Sequence, residues 1–117
     1  MSVLLDKLRK SRESLVEIGD FTFTVRRPTD AEIVAFRGKQ ITQEDILGKF
    51  IVGWKGVKEL DIIPGGDGAE VPFEQELFAD WIADKPDLWE PLISAVLASY
   101  EIHSQSVTEA LKKPEAG

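Results

Sequence analysis

The chain has 117 residues, a net charge of −7 and no cysteine. This length suits one domain around one core, and the lack of thiols excludes a disulfide framework, thiolate zinc sites and cysteine nucleophiles while leaving the compartment open. Residues 1–40 carry eight Lys/Arg against six Asp/Glu, and residues 41–117 carry six against fifteen, a balance that argues against nucleic acid as a partner for most of the surface.

The first dozen positions mix acidic and basic residues, so they lack the apolar centre of a signal peptide, and no apolar run is long enough to span a bilayer. A soluble protein that stays where it is made is expected. Residues 2–12 read as a short helix with a narrow apolar edge of Val3, Leu4 and Leu8, inside a flexible N-terminal segment of about 1–14. Its cations Lys7, Arg9, Lys10 and Arg12 spread around the helix axis, which is the pattern of a solvated helix. Phe21, Phe23 and Val25 then alternate with Thr22, Thr24 and Arg26, the period of a half-buried strand. The Gly19-Asp20 pair and Leu15, Val16 and Ile18 before it complete a hairpin.

"TDAEIVAFRG" has Thr29 as N-cap, Glu32 at the capping-box position and Gly38 for the C-terminal stop. The same grammar recurs in "TQEDILGKFIVGWKG". Thr42 and Asp45 cap, and Ile46, Leu47, Phe50, Ile51 and Trp54 follow helical spacing that predicts a helix reaching Gly56. Gly53 suits a close packing contact, and Trp54 reads first as a core anchor and second as an interface aromatic. "ELDIIPGGDGAEVPFE" reads as a flexible connection. Its glycines lack the Lys and hydroxyl of a phosphate loop and the ligand alternation of a calcium loop.

After Pro72, Phe73, Leu77, Phe78, Trp81 and Ile82 share a face of a third amphipathic helix, with an acidic first turn suited to the helix dipole. The longest helical pattern follows, with a stripe of Trp89, Leu92, Ile93, Val96, Leu97 and Tyr100 that Val107 and Leu111 extend. Pro86 and Pro91 lie near its start, where a missing backbone donor is tolerated. Residues 112–117 are expected to be a disordered tail. The predicted fold is mainly α: one domain over residues 1–117, of four to five helices with a short N-terminal β-hairpin.

Catalytic candidates are few. The lone histidine, His103, sits at the edge of an apolar stripe, and the pairs Glu44/Asp45 and Glu74/Glu76 do not share a helix face. No catalytic, cofactor-binding or metal-ligating residue is assigned, and an enzyme is not expected. An interaction protein remains, with aromatic helix faces offering a groove to an apolar helix.

The segments "FIVGWKGVKELDI" and "EVPFEQELFADWIADKPDLWEPLISAV", within about residues 42–100, resemble the tail assembly chaperones of long-tailed bacteriophages. The distinctive order is an apolar-Gly-Trp-x-Gly-Val turn, a glycine loop, a Val-Pro-Phe entry and two successive helices. The resemblance implies a small helical protein acting in the cytoplasm of an infected bacterium and absent from the mature virion. Its implied partners are the tape measure protein, which it keeps soluble, and the tail tube protein, which it helps recruit; self-association is a further expectation. Catalysis and cofactors are not implied. On this reading client contact centres on Trp54, Phe78, Trp81 and Trp89. The alternatives are a head-to-tail joining or minor tail protein and a small adaptor domain.

Overall fold

A computed structural model describes residues 2–112. The helices are α1 (Val3–Ser11), α2 (Asp30–Phe36), α3 (Gln43–Phe50), α4 (Glu59–Ile62), α5 (Gln75–Ile82) and α6 (Pro86–Lys112); the strands are β1 (Glu13–Ile18), β2 (Phe21–Arg26) and β3 (Ile51–Lys55). The chain is mostly helical, as expected, but adds a short helix at α4 and a third strand, giving an antiparallel sheet in the order β1-β2-β3. Of the tail expected at 112–117, Lys112 ends α6 and the rest lies outside the described residues.

Local signals set most boundaries. Thr29 and Thr42 each accept a hydrogen bond from the backbone of the third helical residue, and the Glu32 and Asp45 carboxylates each accept one from the cap backbone N–H, forming capping boxes at α2 and α3. The hairpin turns at Gly19-Asp20, with Gly19 at φ 61°. In its register Val16 faces Phe23 and Ile18 faces Phe21, so apolar residues share the inner side of the sheet. The other side carries Leu15, Thr22, Thr24 and Lys55.

The predicted helix from Thr42 to Gly56 is corrected. It stops at Phe50, and Ile51–Lys55 pairs with β2 as β3. β-branched Ile51 and Val52 and then Gly53 favour extended backbone over helix. The three-residue spacing of Ile51 and Trp54 nevertheless imitated a helix. In a regular strand those two positions face opposite sides. Here Ile51 pairs with Val25 and Trp54 with Phe23, because an irregularity beside Thr24/Val25 inserts an extra residue on β3. The bulge turns both side chains inward. Gly53 does serve a close approach, since a Cβ there would lie 3.0 Å from Thr24 Oγ1. Gly56 takes the anticipated positive φ of 81°, but at the end of a strand.

The core lies between the inner sheet face and helices α3, α5 and α6. Phe23, Val25, Leu47, Phe50, Ile51, Phe78, Ile82, Leu92 and Val96 are buried there. Its centre is aromatic: Trp81 packs edge-on against Phe21 and Trp54, at ring centroid distances of 5.6 Å in both cases. Such pairs add to plain area burial.

Candidate protein-binding surface

The four aromatic residues expected at a client surface have structural work in the fold. Phe78 is fully enclosed, and Trp54 and Trp81 are core side chains. In this conformation they present no patch to a partner. Trp89 alone is partly exposed. All three indoles donate to backbone carbonyls: Trp54 Nε1 to Val71 at 2.7 Å, Trp81 Nε1 to Asp61 at 3.1 Å and Trp89 Nε1 to Ile82 at 2.7 Å. The first two clasp the glycine segment to the core. That segment is also closed on itself, Val71 N donating to Val57 O and Leu60 N to Asp67 O. The expected open connection is therefore a hydrogen-bonded loop carrying α4.

Exposed apolar area lies elsewhere. Val3, Leu4, Leu5 and Leu8 stand out on α1, Leu15 on β1, Leu97 midway along α6 and Ile102, Val107 and Leu111 on its distal part, with Val34, Leu60 and Ile63 exposed singly elsewhere. α6 holds the core with Leu88, Leu92 and Val96. From Glu101 to Leu111 its residues are exposed except the partly buried His103. Tyr100 marks this boundary, its hydroxyl donating to Asp30 Oδ1 at 2.7 Å and tying α6 to the start of α2. That hydrogen bond holds the phenol above its usual pKa.

Between α1 and the distal part of α6 runs an open cleft of about 490 Å³, walled by Leu8, Arg12, Arg27, Ile102 and His103 among others. A neighbouring cleft of about 530 Å³ shares Arg12 and Glu13 and adds Arg9, Arg26, Thr29 and Glu32. Arg26 binds Glu32 through two bonds of 2.8 and 3.0 Å and lies 4.8 Å from the Phe50 ring centre. Its guanidinium, with the Thr29 backbone and hydroxyl, holds the Glu32 carboxyl at about 2 despite partial burial. Lys49 approaches the same carboxylate at 3.6 Å. Among the described residues these are the ion pairs. Among the described residues Arg9, Arg12 and Arg27 have no carboxylate partner, and Arg12 Nε is buried without an acceptor.

Among the described residues no group of three His, Asp or Glu side chains converges as a metal site would require. A cleft of about 740 Å³ beneath the hairpin turn holds Asp20, Lys58 and Asp61. Asp61 already accepts from Lys58 N at 2.9 Å, as the cap of α4. No described helix is long and apolar enough to cross a membrane.

The α1 edge was visible in the sequence, as were its cations. Ile102 and the pairing of Arg12 with Arg27 were not singled out. The signal for Ile102 lies in Ser99, Ile102, His103 and Ser106, whose spacing defines one helix face turned towards α1. The meeting of Arg12 with Arg27 depends on the hairpin, where Arg27 N donates to Arg12 O at 2.7 Å. Comparison with protein-family models, curated proteins and solved structures finds no match for this chain.

Proposed function

We propose that this chain is a tail assembly chaperone of a long-tailed bacteriophage. It binds the tape measure protein in the cytoplasm of the infected bacterium, keeps that helical rod soluble, helps recruit tail tube subunits, and leaves before the virion is complete. The quoted motif resemblance supports the reading. Those motifs supply β3, α5 and the core, so they bear on the scaffold, with client contact assigned to other residues.

The observation that carries the proposal is the division of apolar side chains. Most aromatic residues are buried or packed against the core, while exposed aliphatic ones are concentrated on α1 and α6, on a chain of net charge −7. A rod with an exposed apolar stripe aggregates unless the stripe is covered. A cover needs aliphatic area for contact and excess charge to keep the complex dispersed. Neither catalysis nor a cofactor enters.

The test is co-expression with the tape measure protein of the same phage, followed by protein mass spectrometry of purified virions. The expected result is soluble tape measure protein only when the chain is present, and no copy of the chain in virions. Retention in virions would identify a joining or minor tail protein instead. Insolubility of the tape measure protein with or without the chain would remove the chaperone reading.

A further inference from the structure

We propose that the cleft between α1, the start of β1 and the distal half of α6 seats an amphipathic helix of another protein, one whose apolar stripe is flanked by carboxylates. The inference rests on the client-binding reading above and names the chemistry of the client segment. Shape comes first. Two helices bound the cleft, and their side-chain ridges leave grooves at helical pitch for a third. Leu8 and Ile102 face it from the two sides and are 45% and 64% exposed. The described part of α6 beyond Tyr100 runs for about 18 Å at helical rise, so a partner of roughly 12–16 residues fits beside it.

Charge selects the partner. Arg12 and Arg27 line the cleft, and Arg9 and Arg26 line its continuation. Glu32 engages Arg26, and Glu13 is the other carboxylate lining these two clefts. Arg9, Arg12 and Arg27 therefore keep their charge uncompensated by any ion pair among the described residues. Carboxylates are the best-matched acceptors for such guanidinium groups. On a molecule of net charge −7, an acidic helix is repelled from most of the surface and attracted to this one place. Local attraction inside general repulsion fixes where and in which register it docks.

The experiment uses the full chain and two synthetic 16-residue peptides with the same leucine stripe, one flanked by glutamates and one by lysines. Fluorescence anisotropy is read at low and high salt. The glutamate peptide should bind, the lysine peptide should bind at least ~10-fold more weakly, and added salt should narrow the gap. Arg9→Glu/Arg12→Glu and Leu8→Glu/Ile102→Glu should each lower glutamate-peptide affinity ~10-fold or more. Leu60→Glu, on α4 away from the cleft, should leave it unchanged. Thermal melts confirm that each variant is folded; should a double variant fail to fold, Arg12→Gln and Ile102→Ser replace it. Equal binding of both peptides overturns the proposal, as does undiminished binding by the folded cleft variants. So does a dimer of the free chain that Leu8→Glu/Ile102→Glu dissolves, because the cleft then holds a second copy. Co-expression separates this inference from the function it rests on. If wild type and cleft variants protect the tape measure protein equally, the cleft assignment fails and the chaperone reading stands. If wild type does not protect it, the chaperone reading fails whatever the peptides do.

Discussion

Gly56 carries the strictest single-residue demand. Its φ is +81°, and an added Cβ would lie 2.6 Å from the Asp20 carbonyl oxygen. Gly65 has a similar φ of +84° but open space around it. Left-handed backbone costs a non-glycine residue roughly 1–2 kcal/mol, and a main-chain clash adds to that. Gly56→Ala should therefore lower stability by about 3 kcal/mol and Gly65→Ala by about 1 kcal/mol in urea denaturation. Equal effects would mean that the approach of the hairpin turn to Gly56 is not tight in solution.

Glu32 makes a pH-dependent contribution at the same scale. Its carboxyl lies at about 2 in the fold against an ordinary 4.5, so folding favours the charged form. That stabilisation is complete above about pH 4.5 and fades as pH falls towards 2. The shift alone corresponds to about 3 kcal/mol; solvent screening of the partly exposed pair reduces the expectation to about 1–2 kcal/mol. Glu32→Gln should be destabilised by that amount at pH 7, and the gap to wild type should close by pH 2–3. A constant gap across that range would mean that the Arg26 pairing contributes nothing through charge.

At the scale of elements, the join of α3 to β3 shows what the chain's pattern conveyed and what it hid. Capping boxes at Thr29 and Thr42 depend on residues three apart and were readable directly, as was the Phe21/Phe23/Val25 alternation. The end of α3 was not. A bulge gives a strand the same i, i+3 inward spacing that a helix has, so periodicity alone could not separate them over Ile51–Trp54. The decision rests on β2 as a pairing partner, which is a tertiary fact. α4 escaped notice for a similar reason, since its four residues are held by contacts from Trp81 and the loop.

The bulge makes a cross-strand prediction. Gly53 sits opposite Thr24, whose Oγ1 and Cβ would be 3.0 and 3.2 Å from any Cβ placed there. Gly53→Val should destabilise by about 1–2 kcal/mol, and Thr24→Ala should recover at least half of that in a double-mutant cycle. Strictly additive effects would count against the contact. For α6, burial of the half before Tyr100 and exposure of the half after it imply unequal protection. Amides of residues 104–111 should exchange about 100-fold faster than those of 92–97 in hydrogen-exchange mass spectrometry. Uniform protection along α6 would show that something covers its distal half.

At the scale of the whole molecule, the radius of gyration is 16.9 Å, whereas a compact chain of this length is expected near ~13 Å. The molecule measures 65 Å along one axis against 35 and 30 Å along the others, and α6, with 27 residues, spans about 40 Å at helical rise. Small-angle scattering should show this elongation, and a variant ending at Ser104 should move the radius towards the compact value. Helical class and the composition of the core were legible because they follow from local period and apolarity. The candidate binding cleft was not, because its walls come from α1, β1 and α6 and its charge from arginines on separate strands and helices. Aromatic content drew attention to Trp54, Phe78 and Trp81, and the fold encloses all three.

The indole clasps have a consequence for how this chain tolerates change. Trp54 and Trp81 grip the glycine loop by its carbonyl oxygens, and a peptide oxygen is the same whichever amino acid bears it. Exposed loop positions such as Ile63 and Pro64 are thus spared from specifying the grip, and their identities are free to drift while the tether holds. The tryptophans have no such freedom, because no other side chain pairs that bulk with a single outward N–H.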